Sequence, residues 1–220
     1  MKDSLQERCG QFIEARDMIK NTFKWENSHI IPVCANLFCA RNLLPAAETL
    51  LACRDLINRN TGLFSSFRGN IRIPLACMLS MEDEPEKKFS KAQDIYEALR
   101  GYFHSSDYLA LAAFLLTEYD CSEERIARGK RIYHLMKDEH PFLTSSEDSI
   151  FAVMMAWSEL SDEDLITDME TCYRILKERF HDSDCVQTMT HILAMEKGAA
   201  DTKCEKVFTL YDMIERNNGK

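Results

Sequence analysis

The sequence contains few of the residues that interrupt regular structure. Only 7 glycines and 5 prolines occur among its 220 residues. Because an all-β fold uses both residue types in its many turns, their scarcity favours a helical fold. Hydrophobic residues make up 45% of the chain, close to the usual share for a globular protein. The chain therefore has the length and the apolar content to bury a core.

Basic residues are also in deficit. Lys and Arg total 27 against 36 Asp and Glu, which gives a formal net charge of −9. Phosphate contacts dominate affinity for nucleic acid, so we predict no nucleic-acid partner. The negative charge disfavours an anionic membrane surface, and the longest apolar runs, 108–116 and 150–157, are shorter than the ~20 residues that span a bilayer. We therefore predict no membrane partner.

Targeting and metal-binding signals are missing as well. The first eight residues are polar, whereas a secretory signal needs an apolar core. The nine cysteines are odd in number and include no Cys-x-x-Cys pair, so we predict reduced, mostly buried thiols in a cytoplasmic protein and no metal site. No zinc-protease, nucleophile-elbow or phosphate-loop motif occurs, so the sequence predicts neither a catalytic residue nor a cofactor.

A helical pattern recurs about every 39 residues. Apolar positions step by three and four residues around positions 57, 96, 133, 173 and 211, which are 39, 37, 40 and 38 apart. Such steps place the side chains on one face of a helix. Tyrosine occupies the last four of these positions. We interpret these tyrosines as core residues with hydroxyls at a wet edge, although a ligand groove is an alternative.

A second, more apolar helix is predicted before each of these helices. Its sequence is clearest at 73–79, 108–116 and 150–157. Ser- and Asp-rich segments separate the units and are typical of helix N-caps. The pattern predicts an all-α fold, an α-solenoid of HEAT or tetratricopeptide type within a single domain, 1–220. We expect a capping helix at 4–23 and five hairpins at 24–64, 65–103, 104–142, 143–180 and 181–217.

Two polar segments are candidate ligand-binding sites. In the first, Arg68 and Asn70 flank a glycine beside a predicted helix N-terminus, where a carboxylate or phosphate would bind. A plain turn with Arg68 paired to a neighbour such as Asp107 is the alternative. The second segment begins the fourth predicted hairpin. The candidate ligand-binding residues are Arg68, Asn70, Asp107, Ser145, Glu147 and Asp148.

Two segments of the sequence resemble a known family. They are 60–64 running into 67–70, and 140–148. In them the chain resembles an uncharacterised bacterial family of domains of unknown function, and the likeness extends over most of the chain. The resemblance implies a helical fold and brings no activity, cofactor or catalytic residue.

Three functions remain open from the sequence. The first is a non-catalytic binding or scaffolding module that presents its repeat-built surface to a protein or peptide. The second is a small-molecule- or metal-dependent enzyme with its site around Arg68, Asp107, Glu147 and Asp148, where carboxylates accompany one arginine. The third is a ligand-sensing regulator.

Overall fold

A computed structural model describes residues 2–24 and 28–217. Over these residues the chain forms eleven α-helices and no β-strand, which confirms the all-α prediction. Among the described helices, none combines the length and the apolar character needed to cross a membrane. The helices are α1 (Lys2–Thr22), α2 (Ile31–Ala40), α3 (Ala47–Asn60), α4 (Arg72–Leu79), α5 (Pro85–Arg100), α6 (Asp107–Leu115), α7 (Glu123–Glu139), α8 (Ser149–Met155), α9 (Asp162–Lys177), α10 (Ser183–Ala194) and α11 (Ala200–Asn217).

Ser and Asp side chains begin several of these helices. Ser106 Oγ accepts a hydrogen bond from Leu109 N before α6, and Asp182 Oδ1 accepts one from Cys185 N before α10. Ser122 and Ser161 cap α7 and α9 in the same way. Each cap satisfies an N–H group that has no partner within its own helix. Ser106 and Asp182 lie where predicted units begin, so the polar segments there act as helix start signals.

Each of the five predicted hairpin ranges contains two α-helices. Residues 25–27, where the first range begins, lie outside the described residues. The most extensive packing joins the second helix of one range to the first helix of the next, as in α3 with α4, α5 with α6 and α9 with α10. An amphipathic helix such as α5 packs its apolar stripe against a helix that is apolar nearly all round, and α6 supplies that surface. The HEAT-like or tetratricopeptide-like repeat stays a prediction.

The chain divides into two compact units, 1–120 and 121–220, and each has its own core. In the first unit, α1, α2 and α4 bury Ile19, Phe38 and Cys77 among other apolar side chains. Phe67 packs edge-on against Phe89 and Tyr96, with ring centroids 5.3 and 5.1 Å apart. This aromatic cluster fixes the segment before α4 on the face of α5.

In the second unit, α7, α8 and α9 bury Ile132, Met155 and Met169. Gly129 lets α7 approach α8 closely, because a Cβ there would lie 3.2 Å from the Cα of Val153. A further core cluster joins α9, α10 and α11 through Cys172, Leu176 and Cys204, among others.

Candidate functional site

Arg68, the first predicted ligand-binding residue, is bound to the end of α3. Its Nε donates to Thr61 Oγ1 at 2.9 Å, and its Nη2 donates to the carbonyl of Thr61 at 2.7 Å and to that of Asn58. The carbonyl of Asn58 lies in the last turn of the helix, where carbonyls have no partner within the helix, and Thr61 is the residue that follows the helix. The guanidinium therefore closes the C-terminus of α3, and it pairs with this helix end instead of with Asp107.

Asp107 lies against the neighbouring Gly69 and Asn70. Its Oδ2 accepts a hydrogen bond from Asn70 N at 2.8 Å. A Cβ at position 69 would lie 2.0 Å from that oxygen, so glycine is required for this close approach. Arg68, Asn70 and Asp107 all line one concavity of about 360 Å³ in the first unit. The structure thus brings these three predicted residues together, and their role in ligand binding stays a prediction.

Ser145, Glu147 and Asp148 lie in the second unit, before α8. Ser145 Oγ accepts from Glu147 N at 3.2 Å, while Asp148 Oδ2 accepts from Ser145 N at 2.8 Å. This reciprocal arrangement is a capping box. Glu147 is exposed, whereas Asp148 is buried. The three residues organise a helix start, and their assignment to a ligand also stays a prediction.

Buried polar residues attach α10 to this helix start. The ring of His191 is fully buried, with its Nδ1 3.3 Å from Asp148 Oδ1 and its centroid 5.2 Å from that of Phe151. Gln187 Nε2 donates to Thr144 Oγ1 at 2.9 Å. Burial, together with the charge of Asp148, raises the pKa of the nearby Tyr133 hydroxyl. α10 therefore fits between α8 and α9 with both apolar and polar contacts.

An apolar groove in the second unit lies along α9, α10 and α11. It has a volume of about 470 Å³, within the range of ligand and peptide sites. Phe180 lies edge-on to Tyr211, with ring centroids 5.1 Å apart. The apolar lining consists of Leu176, Phe180, Val186, Met189, Val207, Leu210, Tyr211 and Ile214.

The charged groups of this groove are already paired. Arg179 donates to Asp212 Oδ1, and this guanidinium lowers the pKa of the Asp212 carboxyl. The Arg179 guanidinium also lies 5.0 Å from the centroid of the Tyr211 ring. Asp182 accepts a hydrogen bond from the backbone N–H of Cys185, and this bond lowers the pKa of the Asp182 carboxyl. The groove therefore offers apolar surface as its main means of binding.

The exposed stripe of α11 differs from the same stripe of α9. Cys172 and Leu176 of α9 are 0% exposed, because α10 and α11 pack against them. Leu210 and Ile214, 38 residues further on, are 59% and 50% exposed. From the sequence, Tyr211 of α11 is interpreted as a core residue with a ligand groove as the alternative, because periodicity identifies an apolar face but not whether a neighbour covers it.

Buried thiols are unsuited to nucleophilic chemistry. Burial, with a contribution from Glu86, raises the pKa of Cys53 to about 11. Burial and the neighbouring Cys204 raise that of Cys172 to about 12. Both thiols are protonated at neutral pH, and the thiolate is the reactive form. Within the described part of the chain, no group of three His, Cys, Asp or Glu side chains is arranged to hold a metal ion.

Comparisons with known proteins identify a family without a known activity. A family model described as "Protein of unknown function (DUF4003)" matches residues 17–220. The uncharacterised protein YeaA of Bacillus subtilis (strain 168) is 26% identical over an alignment of 202 residues, and the match covers 87% of this chain and 61% of YeaA. The chain thus spans less than two thirds of that relative, and no solved structure matches it significantly. The predicted resemblance to an uncharacterised family is confirmed, and the chain belongs to the DUF4003 family of proteins of unknown function.

Proposed function

We propose that the protein is a non-catalytic binding module and that the α9–α11 groove docks an amphipathic helix of a protein partner. The observation that carries the proposal is the exposed apolar stripe of α11 beside an apolar groove of about 470 Å³. Large exposed apolar surface in a folded protein is typical of an interaction site. An amphipathic helix in an apolar groove is a recurring mode of peptide recognition.

The packing of α10 within the chain shows how such a helix would dock. Val186 and Met189 line the groove, and the residues 38 positions before them are Asp148 and Phe151. Asp148 and Phe151 both contact His191, which lies on α10. In this 38-residue register, α8 and α9 correspond to α10 and α11. A helix docked in the groove would therefore contact α10 and α11 as α10 contacts α8 and α9. The 38-residue interval supports an occupant with the shape and apolar face of a helix.

The paired charges support an apolar occupant over a charged small molecule. Arg179 is already bound to Asp212, and Asp182 to the start of α10. A phosphate or carboxylate would have to compete with these contacts. An apolar helix would bury Leu210 and Ile214 and leave the ion pair at its margin. Burying a fully exposed side chain of this kind contributes roughly 1.5–3 kcal/mol, and the gain here is about half of that because both side chains are already half-buried. Ordering the two partners offsets part of the gain.

Site-specific photo-crosslinking tests the proposal. A benzophenone amino acid replaces Leu210, with the exposed position Lys137 on α7 as the matched control. In cells of the native host, we expect crosslinks from position 210 to map to one amphipathic helix, in a quantity well above that from position 137. Equal and scattered crosslinks from both positions would refute the proposal, as would crosslinks confined to small molecules.

A further inference from the structure

We propose that Cys172 of α9 and Cys204 of α11 are a redox-sensitive pair that forms a reversible disulfide and thereby fixes α11 on α9. The two residues lie 32 positions apart in the sequence and belong to one core cluster of the second unit. Both are 0% exposed, so the closed fold shields them from oxidants. The inference is independent of the helix-docking function, because it concerns how α11 is attached and not what covers its outer face.

The two thiols are in contact where α11 packs on α9. Cys204 Sγ donates to the carbonyl oxygen of Cys172 at 3.8 Å. A hydrogen bond also joins the two thiol groups. A disulfide requires two cysteines on adjacent backbones whose side chains point towards each other, and a contact between the thiols indicates both.

The surroundings of the pair give the two thiols different roles. Burial raises the pKa of Cys204, but the hydrogen bond from Cys172 and the charge of Lys203 oppose that rise. Burial and the charge of Cys204 raise the pKa of Cys172 to about 12, and Lys203 alone opposes them. Because the thiolate is the attacking form, Cys204 is the first thiol to react and Cys172 the second.

Opening of α11 gives an oxidant access to the pair. α9 and α10 pack against the inner face of this helix, whereas Leu210 and Ile214 on its outer face are exposed. A helix covered on one side detaches at a lower free-energy cost than a helix enclosed by neighbours. Cys204 lies near the start of α11, so it becomes accessible when that end of the helix opens.

A low-molecular-weight disulfide, such as oxidised glutathione, is the oxidant. The Cys204 thiolate attacks one sulfur of this molecule, which forms a mixed disulfide and releases one small thiolate. When α11 closes, the Cys172 sulfur attacks the Cys204 sulfur and releases the second small thiolate. Two protein thiols are thereby oxidised and one small disulfide is reduced, and the two cysteine protons pass to the released thiolates.

Val207→Ala tests whether opening of α11 controls the reaction. Val207 packs against the core cluster, so the shorter side chain weakens the attachment of α11. Disulfide formation with oxidised glutathione should then accelerate about three- to tenfold, because the open form is more populated. Lys206→Ala, at an exposed position of the same helix, should keep the parent rate. Equal rates in the two variants would contradict access through α11.

Single cysteine variants test the order of the two steps. With oxidised glutathione, Cys172→Ala should accumulate a glutathione adduct on Cys204, whereas Cys204→Ala should leave Cys172 as a thiol. Circular dichroism checks that both variants fold like the parent chain. An adduct on Cys172 and none on Cys204 would overturn the assigned roles.

Non-reducing peptide mapping of the whole chain after incubation with oxidised glutathione tests the pair itself. We expect a crosslinked peptide that joins positions 172 and 204 and disappears when dithiothreitol is added. The crosslink should raise the unfolding temperature by about 5–10 °C, because it constrains the unfolded chain. Adducts at the exposed Cys9 and Cys185, with free thiols at 172 and 204, would overturn the proposal. A crosslinked chain that unfolds at the temperature of the reduced chain would overturn the fixing of α11.

Discussion

Arg68 illustrates how one side chain can stabilise a turn at the end of a helix. It donates three hydrogen bonds at the C-terminal end of α3, one to the carbonyl of Asn58 and two to Thr61, the residue after the helix. Phe67, the residue before Arg68, is buried against α5 on the other side of the turn. Segment 61–66 is therefore fixed at both ends.

We expect Arg68→Met to destabilise the chain by about 1–3 kcal/mol, because it leaves carbonyls of Asn58 and Thr61 without their donor. Denaturant unfolding measures this loss. Arg59→Met is the matched control, since Arg59 is an exposed arginine on α3, and it should change the free energy of unfolding by less than about 0.5 kcal/mol. Equal losses in the two variants would contradict the role assigned to Arg68.

Gly69 provides a second test at the level of single residues. Gly69→Ala places a methyl group on the carboxylate of Asp107 and should cost about 1–3 kcal/mol. Gly62→Ala is the control, because nothing lies within 4 Å of its would-be Cβ. Adding Asp107→Ala to the Gly69→Ala variant should remove most of the conflict. A fully additive double variant would show that the two residues are not in contact.

The sequence located these residues but not their partners. The interruption of a cap by Arg, Gly and Asn indicated an unusual turn at 67–70, and the structure brings Asn70 and Asp107 together there. Contacts across 37 residues depend on how the segment before α4 packs against the start of α6, which a local pattern does not contain. For the same reason, the capping role of Ser145 was predictable, while the contact of Asp148 with His191 on α10 was not.

Among the helices, the second unit depends on a buried lysine at the start of α11. Lys203 Nζ donates to Asp168 Oδ2 of α9 and to the carbonyl of Leu193 in α10, the latter at 3.0 Å. Lys203 is 2% exposed, so three helices meet at one buried ammonium group. A buried charge is costly without its partners, and here it has both a carboxylate and a carbonyl.

We expect Lys203→Met to destabilise the chain by about 3–5 kcal/mol, since Asp168 then loses its partner. Lys197→Met breaks the largely exposed pair with Glu159 and should leave the free energy of unfolding nearly unchanged, because solvent screens exposed charges. Thermal and denaturant unfolding of both variants check the contrast. A Lys203→Met variant as stable as the Lys197→Met variant would contradict this account of the three-helix contact.

The start of α9 carries a pH-dependent contribution. Burial would raise the pKa of Asp162, but hydrogen bonds and charges from Arg128 and Arg131 outweigh it and lower that pKa. A lowered carboxyl pKa stabilises the fold above the unfolded pKa of about 3.9 and ceases to do so as the pH falls through the folded pKa. Arg128 also donates to the carbonyls of Ala156 and Ser158, so it holds the whole 156–162 connection.

We expect Asp162→Asn to lower the free energy of unfolding by about 1–2 kcal/mol at neutral pH, because it removes this charge-assisted contact. The difference from the parent chain should disappear as the pH falls through the folded pKa of Asp162. Unfolding curves recorded from neutral to acidic pH measure it. A difference that stays constant throughout acidification would contradict the electrostatic origin.

Most of the helices were predictable from the sequence. Apolar steps of three and four residues, Pro85 at the start of α5 and the Ser and Asp caps all act locally, so a single sequence contains them. The pairing of α5 with α6 needed tertiary information, because both neighbours of α5 present apolar faces. The same lack of tertiary information hid the groove, since the stripe of α11 repeats that of α9 in the sequence but differs from it in exposure.

At the scale of the whole molecule, the proposed binding function belongs to one surface of the second unit. The DUF4003 family brings no activity to guide the choice, whereas the groove of this unit is lined mainly by apolar side chains. A docked helix would cover the exposed apolar residues of α11 that line this groove.

Hydroxyl-radical footprinting is the most direct measurement of this claim, because it reports the accessibility of individual side chains. Met189 of α10 lines the groove, whereas Met195, just after α10, does not. When the partner identified by crosslinking is added, oxidation of Met189 should fall several-fold while oxidation of Met195 stays the same. An unchanged ratio of the two oxidation rates would contradict helix docking in the groove.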